Sequence, residues 1–191
     1  MKSFVKRIVT FINSLFFGLP YKRDVYMGPG CKLVQSGGGK ILYKSKVQFM
    51  PHSMVVAHPK STIDIGEGCE ISMYSRVASL GYVKLGNNVL MGPHVFIADY
   101  NHEYHDILRP IKFQGNSIDR PNDDSPVLSI DDGTWLGTNV VVVGNIHIGK
   151  NCVIGANSVV TRDIPNYSVA VGIPAKVIKT YNLETNKWEK V

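Results

Sequence analysis

The sequence predicts an all-β protein built as a parallel β-helix, and three observations support this fold class. One six-residue phrase, an aliphatic residue followed by a small or turn-tolerant one, runs six times without a gap from Ile130 to Thr161. The same phrase occurs in six earlier copies between Ile65 and Ala98. Only 19% of the 191 residues are charged and 18 are glycines, which suits one domain of short strands and tight corners.

Each repeat supplies one aliphatic side chain that we expect to point into a narrow core. A small residue after this lead lets the chain turn, and three repeats close one triangular coil. The leads are Ile65, Ile71, Val77, Leu85, Met91, Ile97, Ile130, Leu136, Val142, Ile148, Ile154 and Val160. Stacked coils cover each other's backbone edges. Residues 21–60 carry only weak repeats, which we interpret as early, imperfect coils of one domain spanning residues 21–191.

The repeat rhythm breaks at two places. Between Val77 and Leu85 the step is two residues too long, which predicts a small corner bulge over residues 79–82. From Asp99 to Val127 the rhythm is absent and the segment is polar. Because long loops in compact domains are usually functional, we predict that residues 99–127 are extruded from the β-helix as a functional loop.

Residues 1–20 form an N-terminal element whose apolar side chains recur at helical spacing until Pro20. These side chains belong to Phe4, Ile8, Phe11, Ile12, Leu15 and Leu19. We predict an amphipathic helix that caps the open end of the β-helix or packs on a neighbouring subunit. The alternative is an interfacial membrane helix, because Phe16 and Phe17 widen the apolar face and Lys2, Lys6 and Arg7 flank it. The segment is too short and polar for a transmembrane span, and no small-residue cleavage site indicates a signal peptide.

The net charge of +6 comes from dispersed basic residues and two groups near the termini. The C-terminal group contains Lys176, Lys179, Lys187 and Lys190. Basic residues are not interleaved with aromatic ones, so we expect no nucleic-acid partner. A small molecule that carries phosphate suits the C-terminal group better. The three cysteines, Cys31, Cys69 and Cys152, are an odd number, which predicts reduced core thiols of a cytosolic protein.

Three motifs make a resemblance specific: Ile164-Pro165, the run from Gly172 to Ile178 that reads GIPAKVI, and Asp131–Gly137, which reads DDGTWLG. With these motifs the chain resembles the left-handed β-helix acyltransferases of the galactoside, maltose and nodulation acetyltransferase type. It is most similar to polysaccharide O-acetyltransferases, in which an Asp-x-x-His segment follows a repeat and opens an extended loop. The resemblance covers residues 63–179 and implies a left-handed coil and a homotrimer. One departure is Val143-Gly144-Asn145-Ile146, where the family often has a proline before the glycine.

This resemblance implies an enzyme that transfers the acetyl group of acetyl-CoA to a hydroxyl of a sugar or glycan precursor. His102, in the segment DYNH, falls at the family's catalytic histidine and would act as general base. Histidine suits this role because its ordinary pKa lies near neutral pH. Asp99, Asn101 and His105 are candidates to orient the base or bind the saccharide acceptor.

Seven positions match the donor-binding residues of the family. They are Trp135, Thr138, Ala156, Thr161, Arg162, Lys176 and Lys179. Small side chains there would let the pantetheine arm run along exposed backbone, and the cations would face the nucleotide phosphates. We also expect the long loop to cross a subunit boundary, with His102 from one subunit and some donor contacts from the next.

Several alternatives stay open. Within acyl transfer, the chain could be an amino-sugar N-acyltransferase or an antibiotic acetyltransferase. A zinc lyase of the γ-carbonic-anhydrase kind would use three of His94, His102, His105 and His147 across a subunit boundary, although we expect no metal. A non-catalytic trimeric scaffold would need only the repeats. We expect a cytoplasmic protein, and the N-terminal helix raises the alternative of contact with the inner face of the membrane.

Overall fold

Six stacked coils of short strands follow one N-terminal helix. The structure, a computed structural model, describes residues 2–19, 21–118 and 126–191. Helix α1 spans Lys2–Phe16. The strands of successive coils pair in parallel, which confirms the predicted all-β class and the parallel β-helix. In the described part of the chain, no helix is long and apolar enough to cross a membrane.

The strands follow the coils in chain order. Coil 1 contains β1 (Tyr26–Met27), β2 (Lys32–Gln35) and β3 (Lys40–Tyr43); coil 2 contains β4 (Gln48–Phe49), β5 (Met54–Ala57) and β6 (Thr62–Ile65). Coil 3 contains β7 (Glu70–Ile71), β8 (Arg76–Ser79) and β9 (Tyr82–Leu85). Coil 4 contains β10 (Leu90–Met91) and β11 (Phe96–Ala98), then a loop with β12 (Asn101–His102), a 3-10 turn (Ile111–Phe113) and β13 (Asn116–Ser117), and closes with β14 (Leu128–Ile130). Coil 5 contains β15 (Trp135–Leu136), β16 (Val141–Val143) and β17 (Ile146–Ile148), and coil 6 contains β18 (Val153–Ile154) and β19 (Val159–Val160).

The strands form three flat sheets, here called faces A, B and C. Face A is β1-β4-β7-β10-β15-β18, face B is β2-β5-β8-β11-β16-β19, and face C is β3-β6-β9-β14-β17. The chain turns at corners AB, BC and CA between them. After coil 6, β20 (Ser168–Gly172) continues face A, and the antiparallel strands β21 (Ala175–Asn182) and β22 (Lys187–Lys190) extend it.

The twelve predicted leads all point into the core. Each of them is at most 1% exposed. The small or β-branched residues two positions earlier, such as Cys69, Thr134 and Ser158, are buried as well. The period-two alternation within each strand explains this, because a strand sends successive side chains to opposite faces. The position of a residue within the six-residue repeat therefore determines whether its side chain enters the core.

Residues 21–65 form two complete coils, although the sequence repeats of residues 21–60 are weak. Met27, Phe49 and Ile71 occupy equivalent places on face A and are 22 positions apart, whereas Leu136 and Ile154 are 18 apart. The extra residues lie at corner BC, where Leu33 and Tyr43 are ten positions apart. The irregular repeats thus reflect one longer corner and not imperfect strands. The bulge predicted over residues 79–82 is a shorter version of the same corner.

The three cysteines are free and buried in the coils. Burial raises the pKa of the Cys31 and Cys69 thiols to about 11, and it also raises the pKa of Cys152. The thiol of Cys69 donates a hydrogen bond of 2.9 Å to the carbonyl oxygen of Gly86 in the next coil. The prediction that the three cysteines lie in the core is therefore confirmed.

Candidate functional site

The extruded loop leaves the β-helix at corner BC of coil 4, directly after Ala98. The first loop residue, Asp99, is only 1% exposed. Its carboxylate accepts hydrogen bonds from the hydroxyl of Ser79 at 2.7 Å and from the backbone N–H groups of Leu80 at 2.8 Å and Gly81 at 3.0 Å. These donors form the corner of coil 3, so Asp99 fastens the start of the loop to the coil below.

Gly81 makes this close approach possible. A Cβ atom at Gly81 would lie 2.7 Å from Cδ1 of Ile118, 2.9 Å from Cγ2 of Val127 and 3.3 Å from the Asp99 carboxylate. Real Cβ atoms do not approach other atoms so closely, so only glycine fits here without a shift. The sequence marked residues 79–82 as a bulge but gave no sign that the bulge holds Asp99.

The candidate base His102 lies on β12, four positions after the end of β11. This strand pairs antiparallel with β13, which puts His102 opposite Asn116 and Asn101 opposite Ser117. The Asn101 side chain accepts a hydrogen bond of 2.9 Å from the His102 backbone N–H. Both residues are exposed. Within residues 2–19, 21–118 and 126–191 the His102 imidazole has no hydrogen-bond or ion-pair partner, and the residue is exposed.

The loop beyond His102 is held by Gln114, a residue that the sequence did not single out. Its side-chain amide donates hydrogen bonds to the carbonyl oxygens of Asp106 at 2.8 Å and Arg109 at 2.6 Å. Its side-chain oxygen accepts a bond of 3.1 Å from the Asp106 N–H. Between these contacts, Ile107 and Leu108 are more than nine-tenths exposed. The loop therefore presents an exposed apolar tip at Ile107 and Leu108.

His105 stands near the start of the same loop. Its Nε2 lies 3.9 Å from a carboxylate oxygen of Glu103, and its ring packs at a tilt on Tyr104 with centroids 4.6 Å apart. The side chain is 78% exposed. His105 is thus placed to meet a ligand that approaches the loop, while Asp99 is directed into coil 3 instead of toward solvent.

Open space borders the loop root on the side of coil 5. The N–H of Gly144 donates a hydrogen bond of 2.9 Å to the carbonyl oxygen of Ala98, so corner BC of coil 5 touches the point where the loop departs. A Cβ atom at Gly144 would meet nothing within 4 Å. One coil farther along, Thr161 and Arg162 occupy the same corner and are exposed. Corner BC thus carries the loop root and one candidate cation, about 10 Å apart by strand spacing.

The other five candidate donor residues lie on face A and corner AB. Trp135 projects outward from β15. It pairs with Val153 on β18, Val153 pairs with Val169 on β20, and Val169 pairs with Lys179 on β21. Three strand spacings separate Trp135 from Lys179, which is about 14 Å. Lys176 lies beside Val171 on the β20–β21 hairpin. All three are exposed.

Thr138 and Ala156 occupy corner AB in coils 5 and 6, where the coils approach closely. A Cβ atom at Gly137 would lie 2.7 Å from the backbone nitrogen of Ala156. The N–H of Gly172 donates a hydrogen bond of 3.0 Å to the hydroxyl of Ser158, which pins the GIPAK turn to this corner. Small side chains, exposed backbone and the Lys176 cation therefore meet along corner AB.

The four histidines of the zinc alternative lie at separate places. His94 is at corner AB, where its ring stacks on Tyr74 at 5.2 Å and Tyr74 stacks on His52 at the same distance. On face C, Nδ1 of His147 lies 2.8 Å from the Ser129 hydroxyl. His102 and His105 belong to the loop. In the part of the chain that the structure describes, no group of three or more His, Cys, Asp or Glu side chains could hold a metal ion.

Comparison with known proteins adds independent information. The family described as bacterial transferase hexapeptide (six repeats) matches residues 129–162. WbbJ of Escherichia coli K12, which carries the provisional name lipopolysaccharide biosynthesis O-acetyl transferase, is 37% identical over 134 residues, covering 70% of this chain and 68% of that protein. Galactoside O-acetyltransferase of the same strain is 34% identical over 122 residues, covering 64% of this chain and 56% of that protein.

A solved structure shows the same fold. Galactoside acetyltransferase in complex with coenzyme A superposes with a TM-score of 0.52 at 26% sequence identity, and the match covers 79% of this chain and 65% of that one. The chain therefore spans about two thirds of the length of this relative and of WbbJ, and about half of the E. coli galactoside enzyme.

Proposed function

The chain belongs to the bacterial hexapeptide-repeat acetyltransferases, and from that premise we propose that it transfers the acetyl group of acetyl-CoA to a hydroxyl of a sugar or glycan precursor. The placement of His102 carries the proposal. Its imidazole is exposed at the mouth of the extruded loop, on a short strand ladder whose root is fastened by Asp99. A general base needs a side chain that the acceptor hydroxyl can reach, and this exposed position supplies one.

The proposed reaction is a direct transfer. The acceptor hydroxyl gives its proton to His102 as its oxygen attacks the thioester carbonyl of acetyl-CoA. A new carbon–oxygen bond forms, the carbon–sulfur bond breaks, and the proton on the imidazolium passes to the departing CoA thiolate. The developing oxyanion needs a fixed donor, and an exposed backbone N–H at a corner is suited to this task.

Acetyl-CoA fits the strip along corner AB. Thr138 and Ala156 are small enough to leave backbone groups open to the pantetheine arm, and Trp135 offers a flat apolar surface on the adjoining face. Lys176 and Lys179 are exposed on β21 beside that strip and would pair with the phosphates of the nucleotide end. The cations belong to the C-terminal extension of face A and therefore lie at the end of the β-helix opposite α1.

A homotrimer would complete the site. His102 and Arg162 lie at corner BC, whereas the donor strip lies at corner AB, on the other side of face B. Rotation about a three-fold axis brings corner BC of one subunit toward corner AB of the next, which unites both halves in one groove. The exposed apolar tip at Ile107 and Leu108 is suited to contact that neighbour. Sedimentation equilibrium tests this directly, and a fully active monomer would contradict it.

We favour surface-polysaccharide synthesis as the process in which this acetyl transfer takes place. The name of WbbJ refers to lipopolysaccharide biosynthesis, and that of the galactoside enzyme to a sugar acceptor. Free thiols and the use of acetyl-CoA favour the cytoplasm. Fractionation of cells that produce the full chain would test this location.

The first experiment follows CoA thiol release with a chromogenic disulfide in the presence of free sugars, nucleotide sugars and lipid-linked glycan fragments. We expect release that depends on one acceptor class. Treatment of the product with hydroxylamine then distinguishes an ester, which it cleaves, from an amide, which resists. An acetylated amine would favour the N-acyltransferase alternative, and absence of both release and CoA binding by calorimetry would favour a scaffold.

A further inference from the structure

Helix α1 packs on the β-helix with its polar side. Thr10 and Ser14 are buried, at 2% and 1% exposure. The hydroxyl of Thr10 accepts a hydrogen bond of 3.1 Å from the N–H of Met27, and the Asn13 amide donates bonds of 3.1 Å to the carbonyl oxygens of Met27 and Gly28. This orientation is the reverse of that of an ordinary surface helix, which buries its apolar stripe.

The reason lies in the first strand of face A. β1 is the edge of its sheet, so its outer backbone groups have no neighbouring strand to pair with. Polar side chains of α1 satisfy them, and the core is closed by Phe17 and Leu19 after the helix. The helix therefore caps the β-helix without using its apolar residues.

The apolar face of α1 is left open. Seven apolar side chains on one side of the helix are each at least 42% exposed. They are Phe4, Val5, Ile8, Phe11, Ile12, Leu15 and Phe16. At 100° per residue they fall within about 140° of the helix circumference. A continuous apolar strip of this size on a protein surface marks an interaction site.

Charge is concentrated at the same end of the molecule. Residues 1–46 contain nine Lys and Arg residues and a single acid, Asp24, whereas residues 47–191 contain twelve basic and fourteen acidic residues. The first segment thus carries a net charge of +8 and the rest a net charge of −2. Lys6, Arg7, Arg23 and Lys46, together with Asp24, line a cavity of about 330 Å³ between α1 and coil 1. Lys46 also pairs with Glu67 at 2.7 Å.

We propose that α1 lies in the plane of an anionic phospholipid surface, with its apolar strip among the acyl chains and the basic first coil facing the headgroups. The apolar strip and the positive charge lie at the same end of the molecule, on opposite sides of α1, which is the pattern of an interfacial helix. A second copy on this face would bring two ends of net charge +8 together. An anionic bilayer neutralises that charge, and the cavity lined by Lys6, Arg7 and Arg23 has room for a lipid phosphate.

Flotation of the full chain with unilamellar vesicles tests the proposal. We expect binding to phosphatidylcholine vesicles that contain about 30 mol% phosphatidylglycerol as the anionic lipid. Binding should fall roughly tenfold in pure phosphatidylcholine or when salt is raised to about 0.5 M. Leu15→Ser should lower it about tenfold. The matched control is Leu183→Ser, because Leu15 and Leu183 are similarly exposed, at 67% and 63%, and Leu183 lies at the opposite end of the molecule.

Two substitutions that each remove one positive charge give a second readout. Arg7→Gln should weaken binding to anionic vesicles, whereas Arg109→Gln in the extruded loop should not. The thermal unfolding of all variants should match wild type, because each altered side chain is exposed. Equal binding to neutral and anionic vesicles would overturn the proposal. So would the absence of vesicle binding together with an oligomer that dissociates in Leu15→Ser, because the strip would then be an interface between copies. Neither result depends on acetyl transfer.

Discussion

The carboxylate of Asp99 accepts a hydrogen bond of 2.7 Å from the hydroxyl of Ser79, and neither residue is more than 1% exposed. The two residues are 20 positions apart and belong to neighbouring coils. The candidate base His102 follows Asp99 by three positions. The direction in which the base leaves the β-helix therefore depends on a contact between coils and not on the loop alone.

Replacing Asp99 by Ala should lower the free energy of unfolding by about 2–4 kcal/mol, because Ser79 and two backbone N–H groups lose their acceptor. Ser79→Ala should cost about 1–2 kcal/mol, since the carboxylate keeps its backbone donors. Asp106→Ala, at an exposed loop position, should cost less than about 1 kcal/mol. Urea denaturation measures all three. Equal losses for Asp99 and Asp106 would contradict the proposed fastening.

His102→Ala should keep its unfolding free energy within about 0.5 kcal/mol of wild type, because the side chain is exposed. Its kcat should fall by a factor of about 10²–10⁴ with the loss of the general base. His147→Ala, on the outside of face C, should change kcat less than about threefold. Steady-state kinetics of CoA release provide the comparison. A folded His102 variant of normal activity would assign the base elsewhere.

Lys179→Gln should raise the KM for acetyl-CoA by roughly tenfold and leave kcat almost unchanged, because an exposed charge pair with phosphate contributes mainly to binding. Lys84→Gln is the control, since Lys84 is also exposed but lies on face C, away from the donor strip. Both values come from initial rates at saturating acceptor. Identical KM values for the two variants would remove Lys179 from the donor site.

The buried thiols predict a decrease in stability at alkaline pH. Burial raises the pKa of Cys31 and Cys69 to about 11 in the folded protein, above the ordinary value of 9.0. The unfolded chain therefore loses thiol protons first, and stability that is complete below pH 9 decreases as the pH rises toward 11. Cys69→Ala should flatten this decrease. Unfolding in urea between pH 8 and pH 10.5 measures the slope, and an unchanged slope would argue against the buried thiol.

The same thiols should react slowly in the native state. At pH 8 a thiol with a pKa of about 11 is ionised to about one part in a thousand, and only the thiolate reacts with a chromogenic disulfide. The protein itself should therefore add little background to the assay for CoA release.

Leu136→Ala should lower the free energy of unfolding by about 2–5 kcal/mol, because Leu136 is a completely buried lead. Leu90→Ala should cost less than about 1 kcal/mol, since Leu90 points outward from the neighbouring strand and is 46% exposed. Chemical denaturation compares the two. Similar losses would mean that the inward and outward positions of face A are assigned incorrectly.

Much of the fold was predictable because the six-residue repeat is a local pattern. Each lead, such as Ile97 or Leu136, enters the core as its position in the repeat predicts, and the loop begins where the rhythm stops at Asp99. The first two coils were harder to recognise. Their inward residues recur every 22 positions with a long corner BC, so a search for steps of six finds only part of them.

The sequence alone determined which side chains enter the core, where the loop leaves it, and that His102 stands at its mouth, because these features depend on residues a few positions apart. The tertiary structure decided that Asp99 binds the corner of coil 3, that Gln114 holds the loop, and that the candidate donor residues divide between corners AB and BC. It also decided that α1 buries Thr10 and exposes its apolar strip. The physical reason is that the contacts of Asp99 and of α1 join coils, or a helix and an edge strand, 14 to 20 positions apart, and the hydrogen-bonding needs of that edge outweigh the usual burial of an apolar face. The contacts of Gln114 span only five to eight positions, but they lie in a loop that follows no repeat.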